Sequence, residues 1–314
     1  MNECTKIIYL MGTKITLFVK AENAENLAKK AEEMLIHYEE GFSANSDRSQ
    51  LAMLKKAAGV SPIEVDGELY ELIKTGKTHS LCEDSFLNIA IGPLIKLWRI
   101  GFAEARVPEK EAIENVLELL KPENILLDDE RKTVFLSSKG MEIDLGAIAK
   151  GYFADKVMEF WKAHGAVSAM VDLGGNVLVY GDSPSEGGDW NVGIQNPFLP
   201  RGNVAAIVKI RDQSVVTSGI YERMFETEGR KYHHIFDSKT GRPIKSNVAS
   251  LTIIADRSLD CDLYTTKLFG MEAASIIQRV NTINGMGAAV ITVDGTFACT
   301  HNLMEKIYPA APRN

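Results

Sequence analysis

Cysteine is scarce in this sequence. Its four cysteines, Cys4, Cys82, Cys261 and Cys299, are scattered over 314 residues with no CxxC spacing. That argues against a zinc site or a disulfide scaffold and leaves reduced thiols in the cytosol as the expectation. Histidine is also sparse, with six in all and no HExxH, so a histidine-based metal site is not expected. Basic charge is in deficit: 35 Lys and Arg face 42 Asp and Glu, a net charge of −7. A broad nucleic-acid surface needs clustered cations, so no nucleic acid is expected as a partner. No apolar run approaches the ~20 residues of a membrane span. The opening residues "MNECTKIIYLMGT" lack a basic region followed by an apolar stretch, so no signal peptide is read and Cys4 lacks the context of a lipid anchor. A cytoplasmic protein is expected. The dinucleotide fingerprint GxGxxG, the P-loop, GxSxG and the kinase motifs are all missing. There is no internal repeat and no Pro/Gly-rich linker, so residues 1–314 are expected to form a single domain.

What is present is ordinary globular material, 45% hydrophobic and 25% charged. Two β-branched runs around Met11-Gly12-Thr13 predict a hairpin. Leu27, Ala31, Met34, Leu35 and Tyr38 recur at helical spacing, and Gly41 ends that helix. A second helix is capped at Asp66, and "EAIENVLELL" is a third. Beyond residue 122 short strands dominate: "ENILLDD", "TVFLS", "MEIDL", "SAMVDLGG", "NVLVYG", "WNVGIQNP", "AAIVKI", "SVVTSG", "KYHHIFD", "VASLTIIA", "AAVITV" and "FACT". Helices are expected at about 148–161 and 262–279. Short turns rather than helices join most of these strands, which favours antiparallel pairing and an α+β fold.

Several stretches can carry chemistry, each with an ordinary structural reading beside it. "EIDLGAIAKGYFADK" (142–156) runs from Asp144 through small residues to Lys150 in the first turn of a helix. A lysine there opposes the helix dipole, so it points to a bound anion as much as to a plain strand–helix joint. In "YHHIFDSKTGRP" (232–243), strand alternation puts His233 and His234 on opposite faces, so one of them serves a given site, as base or acid near neutral pH. In "DCDLYTTKLFGM" (260–271), Asp262 and Thr266 are one helical turn apart. A carboxylate and a hydroxyl suit a hard cation such as Mg²⁺, while the alternative is that Asp262 caps its own helix. "VVTSGIYER" (215–223), which includes Thr217, is a phosphate contact or an ordinary glycine turn.

The order of the motifs is more specific than any one of them. "MGT", "FSANSDRSQL", "NIAIGPLIKLW", "EIDLGAIAKGY", "VDLGGN", "WNVGIQNP", "TSGIYER", "YHHIFDSKTGRP" and "DCDLYTTKLF" follow one another in the chain. Over about residues 7–300 this sequence resembles the ApbE family, the FAD:protein FMN transferases. The resemblance implies an α+β fold related to the tunnelling fold, with mainly antiparallel sheets and flanking helices. It implies FAD as substrate, Mg²⁺ as cofactor, and transfer of FMN to a Thr or Ser hydroxyl of an acceptor flavoprotein with release of AMP. The implied Mg²⁺ ligands are the Ala147 carbonyl, Asp262 and Thr266, joined by Thr265. The implied ligand contacts are Met11, Asn45, Phe86, Leu87, Asn88, Asp144, Lys150, Thr217, Ile235 and Phe236. The implied base is His234, with His233 as the lesser choice.

Two departures bear on activity. Many relatives carry an export signal, and its absence here points to a cytoplasmic acceptor. The fourth residue of "FSAN", often aromatic in the family, is Asn45, which would leave the phosphoanhydride more open to water. FAD hydrolysis to FMN and AMP is therefore the runner-up activity, and a non-catalytic FAD-binding protein the remaining alternative.

Overall fold

The computed structural model describes residues 1–44, 46–185 and 187–310. The chain opens on the expected hairpin, β1 (Asn2–Leu10) and β2 (Thr13–Ala21), then α1 (Ala24–Phe42), α2 (Gln50–Ala57), β3 (Ile63–Glu64) and α3 (Gly67–Ser80). Next come α4 (Gly92–Trp98), α5 (Lys110–Leu117), β4 (Ile125–Asp128), β5 (Thr133–Leu136) and α6 (Ala149–Ala163). A run of strands follows: β6 (Ser168–Leu173), β7 (Asn176–Gly181), β8 (Trp190–Gln195), β9 (Val204–Ile210), β10 (Ser214–Gly219), β11 (Met224–Thr227), β12 (Arg230–His233), β13 (Phe236–Asp237), β14 (Arg242–Pro243) and β15 (Val248–Ala255). The chain closes with α7 (Ser258–Leu268), α8 (Ala273–Val280), β16 (Gly287–Thr292), β17 (Phe297–Cys299) and β18 (Ile307–Pro309).

Eight strands form one sheet in the order β1-β2-β6-β7-β10-β15-β16-β17, and every neighbouring pair is antiparallel. This is the expected α+β architecture. Alternation along each strand sends side chains to two different cores. On one face, Ile15, Leu17 and Val19 of β2 and Ala169, Val171 and Leu173 of β6 pack with Leu35 of α1, Leu72 of α3 and Trp161 of α6. Further along that face, Leu251 and Ile253 of β15 meet Leu268 of α7 and Ile276 of α8. The alternate residues Phe18, Val179, Val215 and Ile254 face the other way, against Trp190, Val208 and Ile210 of the smaller β18-β9-β8 sheet.

Local chemistry explains the ends of these elements. Asp66 caps α3 as expected, accepting from the Glu68 N–H at 2.8 Å. The β1–β2 turn puts both Met11 (φ 53°) and Gly12 (φ 69°) in the left-handed region, as a two-residue hairpin turn of right-handed strands requires. Met11 is not a glycine, and its N–H is held by Glu39 Oε1 at 2.6 Å.

Three sequence readings are corrected, and two helices are added. "MEIDL" is not a strand: it runs extended but joins its neighbour through one backbone bond, Asp144 N–H to the Ile89 carbonyl, so no ladder forms. The helix expected over 262–279 is two helices. α7 starts four residues earlier, and the chain breaks where the Phe86 ring packs on Gly270 and Asn247 Oδ1 caps α8 at Ala273. "KYHHIFD" is not one strand, because the chain bends at His234 between β12 and β13. Two helices were not foreseen, α2, capped by Ser49, and α4, with Pro93 in its first turn.

Candidate functional site

α6 and α7 cap each other. Asp155 of α6 accepts from the Ser258 and Leu259 N–H groups of the α7 first turn, at 2.7 and 3.0 Å. Asp262 of α7 returns the favour, its Oδ2 accepting from the Gly151 N–H of the α6 first turn at 2.6 Å. Such caps normally come from the residue just before the helix; here they cross 103 to 111 positions of chain. Asp262 thus caps a helix, but not its own. The close approach requires Gly151, since a Cβ there would lie 2.4 Å from the Ser258 carbonyl oxygen.

This contact sets the Asp262 carboxylate against the start of α6. Ala147, half-buried, lies two residues before the start of α6. Gly151 is in the first turn of α6, where a backbone N–H has no acceptor within the helix, and Asp262 supplies one. Thr265 lies one turn on and donates its hydroxyl proton to the Asp262 backbone carbonyl at 3.0 Å, which leaves its oxygen lone pairs available. Thr266 is half-buried on the same turn. Among the described residues no three of His, Cys, Asp and Glu cluster as a metal site. A cation here would rest on one carboxylate, a carbonyl and hydroxyls, all oxygen donors, with the rest of its shell open to water and phosphate. That donor set fits Mg²⁺.

Basic groups act on two buried carboxylates near this contact. Burial raises the Asp262 pKa, opposed by Lys150, the Gly151 N–H and Asn176. Burial likewise raises Asp144, opposed by the Gly146 N–H at 2.8 Å and by the charges of Arg223 and Lys96. Lys150 thus acts electrostatically on Asp262, and Arg223 and Lys96 on Asp144. Lys96 also pairs with Glu142, which holds Lys55 at 2.9 Å.

The two histidines differ in what their rings have left to give. His233 is committed at both nitrogens: Nδ1 accepts from the Ile235 N–H at 3.3 Å, so Nε2 carries the proton and donates to the Ile244 carbonyl at 3.1 Å. It pins the bend. His234 has Nδ1 at 3.2 Å from the Arg223 carbonyl, which can only accept, so the proton is on Nδ1 and Nε2 keeps its lone pair. Burial, with the neighbouring charges of Arg223, His233 and Lys150, lowers its pKa to about 4, so the ring is neutral at pH 7. A neutral imidazole with a free Nε2 is a proton acceptor.

Other sequence-predicted residues are placed differently. Thr217 is not brought to the site. Its neighbour Val216 faces α7, so Thr217 points to the opposite face of the sheet, where it bonds Thr252 Oγ1 at 2.8 Å. By the same alternation Ser218 faces the α7 side. Leu87 and Phe236 have buried side chains, Phe236 against Trp98 at 5.7 Å between centroids, which leaves only their backbone for a ligand. Asn88 clamps two segments, donating to the Leu120 carbonyl and accepting from the Ala90 N–H. Phe86 lies on Gly270, Ile235 follows the bend at His234, and Met11 sits at the tip of the first hairpin. Asn45 lies outside the described residues. The sequence reading missed Asp155, Asn176, Lys96 and Arg223. Asp155 had a visible signal, an acidic residue inside the apolar stripe of "GYFADKVMEF".

Asp155 carries a pH signature. Burial pushes its pKa up to about 6, against the two backbone donors and Arg257. The unfolded value lies near 3.9, so ionisation is disfavoured in the folded state. Its contribution to stability is therefore highest below pH ~4 and is lost as pH rises through ~6, by at most about 3 kcal/mol. Urea unfolding from pH 4 to 7 should show this loss in the wild type and a flatter profile in Asp155→Asn.

The profile of the ApbE family matches residues 11–291. The FAD:protein FMN transferase of Klebsiella pneumoniae (strain 342) is 40% identical over 262 residues, covering 83% of this chain and 80% of that protein. The FAD:protein FMN transferase of Treponema pallidum (strain Nichols) is 36% identical, covering 98% and 89%. The crystal structure of the ApbE protein of Thermotoga maritima superposes with a TM-score of 0.87 at 28% identity, over 96% of this chain and 98% of that one. The flavin transferase ApbE of Vibrio cholerae, at 23% identity and a TM-score of 0.84 over 97% and 99%, shares the fold. By the profile over residues 11–291 and relatives at 36% and 40% identity, the chain belongs to the ApbE family.

Proposed function

We propose that this protein is a Mg²⁺-dependent FAD:protein FMN transferase, with residues 1–314 acting as one unit and a cytoplasmic flavoprotein as acceptor. The acceptor hydroxyl oxygen forms a bond to the FMN phosphorus, the bond from that phosphorus to the bridging oxygen breaks, and AMP leaves. The observation that supports this reading is the Asp262–Gly151 contact, because it brings a buried carboxylate to the start of α6, within reach of the Lys150 charge that also acts on His234.

His234 Nε2 takes the proton of the acceptor Thr or Ser hydroxyl as that oxygen attacks. Lys150, Arg223 and Lys96 offset the charge of the pyrophosphate. Asp262, the Ala147 carbonyl, Thr265 and Thr266 would hold Mg²⁺, which supplies charge stabilisation to the departing AMP oxygens. No helix among the described residues is long and apolar enough to cross a membrane, and all four cysteines are free thiols, in keeping with a reducing compartment.

The test is incubation with FAD, Mg²⁺ and flavoproteins of the same cell. Flavin fluorescence that stays with the denatured acceptor, with AMP released in equal amount, is the expected result. AMP without labelled acceptor means hydrolysis, and bound FAD without AMP rejects the enzyme. A companion variant, Lys150→Gln, should raise the KM for FAD by about tenfold to a hundredfold, as for loss of one charge-assisted hydrogen bond, with an unchanged melting temperature.

A further inference from the structure

Asn176 opens β7 directly after the Gly174–Gly175 turn and is 1% exposed. Its amide oxygen accepts from Ser258 Oγ at 2.6 Å, and Ser258 Oγ lies 3.0 Å from Ser214 Oγ. Both serines are fully buried. The amide is therefore locked in one orientation by a chain of hydroxyls inside the protein. Its nitrogen is buried and makes no hydrogen bond of normal geometry, yet it lies near enough to the Asp262 carboxylate to oppose the rise of its pKa. A buried donor without an acceptor is costly, and such groups in native structures call for an explanation.

Asp262 supplies that explanation. Its Oδ2 is held by the Gly151 N–H, which fixes one oxygen. A second donor aimed at the carboxylate fixes the plane and so the direction of the lone pairs that remain. We propose that Asn176 is a positioning residue for the cation site: clamped by Ser258, it orients the Asp262 carboxylate and completes its own hydrogen bond when a divalent cation settles that carboxylate. This rests on the reading of Asp262 as a cation ligand. Outer groups of this kind typically account for 10- to 100-fold in metal affinity. A purely structural Asn176, holding the turn before β7, would act on the fold and not through Asp262.

The test measures Mn²⁺ binding to the protein without FAD, by the electron paramagnetic resonance signal of free Mn²⁺. Asn176→Leu should weaken binding by about 10- to 100-fold. In an Asp262→Asn background it should cause no further loss, because a residue that acts through Asp262 has nothing left to act on. Wild-type affinity in Asn176→Leu, or an equal loss in both backgrounds, overturns the proposal. Wild-type affinity in Asp262→Asn alone instead overturns the reading of Asp262 as a ligand. Should Asn176→Leu not fold, Ser258→Ala decides: it frees the amide to rotate and should weaken Mn²⁺ by about threefold, on the scale of one lost hydrogen bond, and unchanged affinity overturns the proposal.

Discussion

Replacing His234 by alanine should lower FMN transfer by about 10²- to 10⁴-fold, the range of general-base catalysis, while FAD still binds. The ring is neutral at pH 7, so its removal takes no charge from the anion site. Its Nδ1–H is anchored on the Arg223 carbonyl, which aims Nε2 and leaves it open to a hydroxyl. Single-turnover labelling of an acceptor gives the rate, and quenching of FAD fluorescence gives the binding. His233→Ala is the contrast: both of its ring nitrogens serve the backbone of the bend, so its loss should lower stability before it touches chemistry. A His234→Ala protein that labels acceptor at the wild-type rate would remove His234 from the mechanism.

Gly151→Ala should destabilise the protein and disable the cation site together. In most helices Gly→Ala stabilises by up to about 1 kcal/mol. Here the added methyl would stand 2.4 Å from the Ser258 carbonyl oxygen and 2.8 Å from the Leu259 Cα, both backbone atoms that cannot rotate away. Overpacking of this kind costs about 1–3 kcal/mol, so the clash outweighs the propensity gain and reverses the sign. α6 must move off α7, which breaks the bond between the Gly151 N–H and Asp262. Denaturant unfolding and Mn²⁺ affinity should fall in the same variant. A Gly151→Ala protein more stable than the wild type, with normal Mn²⁺ binding, would show that the helices separate without consequence.

Much of the fold could be read along the chain because its causes are local. The hairpin at Met11-Gly12, the apolar stripe from Leu27 to Tyr38 and the cap at Asp66 each depend on residues within a few positions. The antiparallel sheet followed from short turns between strands. Readings failed where the neighbours that decide an element are distant in sequence. "MEIDL" alternates like a strand, yet no partner strand lies beside it. The helix after Asp262 is interrupted because Phe86 packs on Gly270, which no pattern in residues 262–279 reveals.

By itself the sequence determined the family, through nine ordered motifs, and with it the kinds of residue that could hold a cation, an anion and a proton. Tertiary structure decided what each of them does. It separated His233 from His234 by which ring nitrogen is left free. It sent Thr217 to the far face of the sheet, since strand register sets the direction of every side chain. It also brought Asp262 to Gly151 across 111 positions of chain. That carboxylate and that amide N–H meet only when two helices approach closely enough for one to cap the other, and that distance belongs to the packing of α6 on α7.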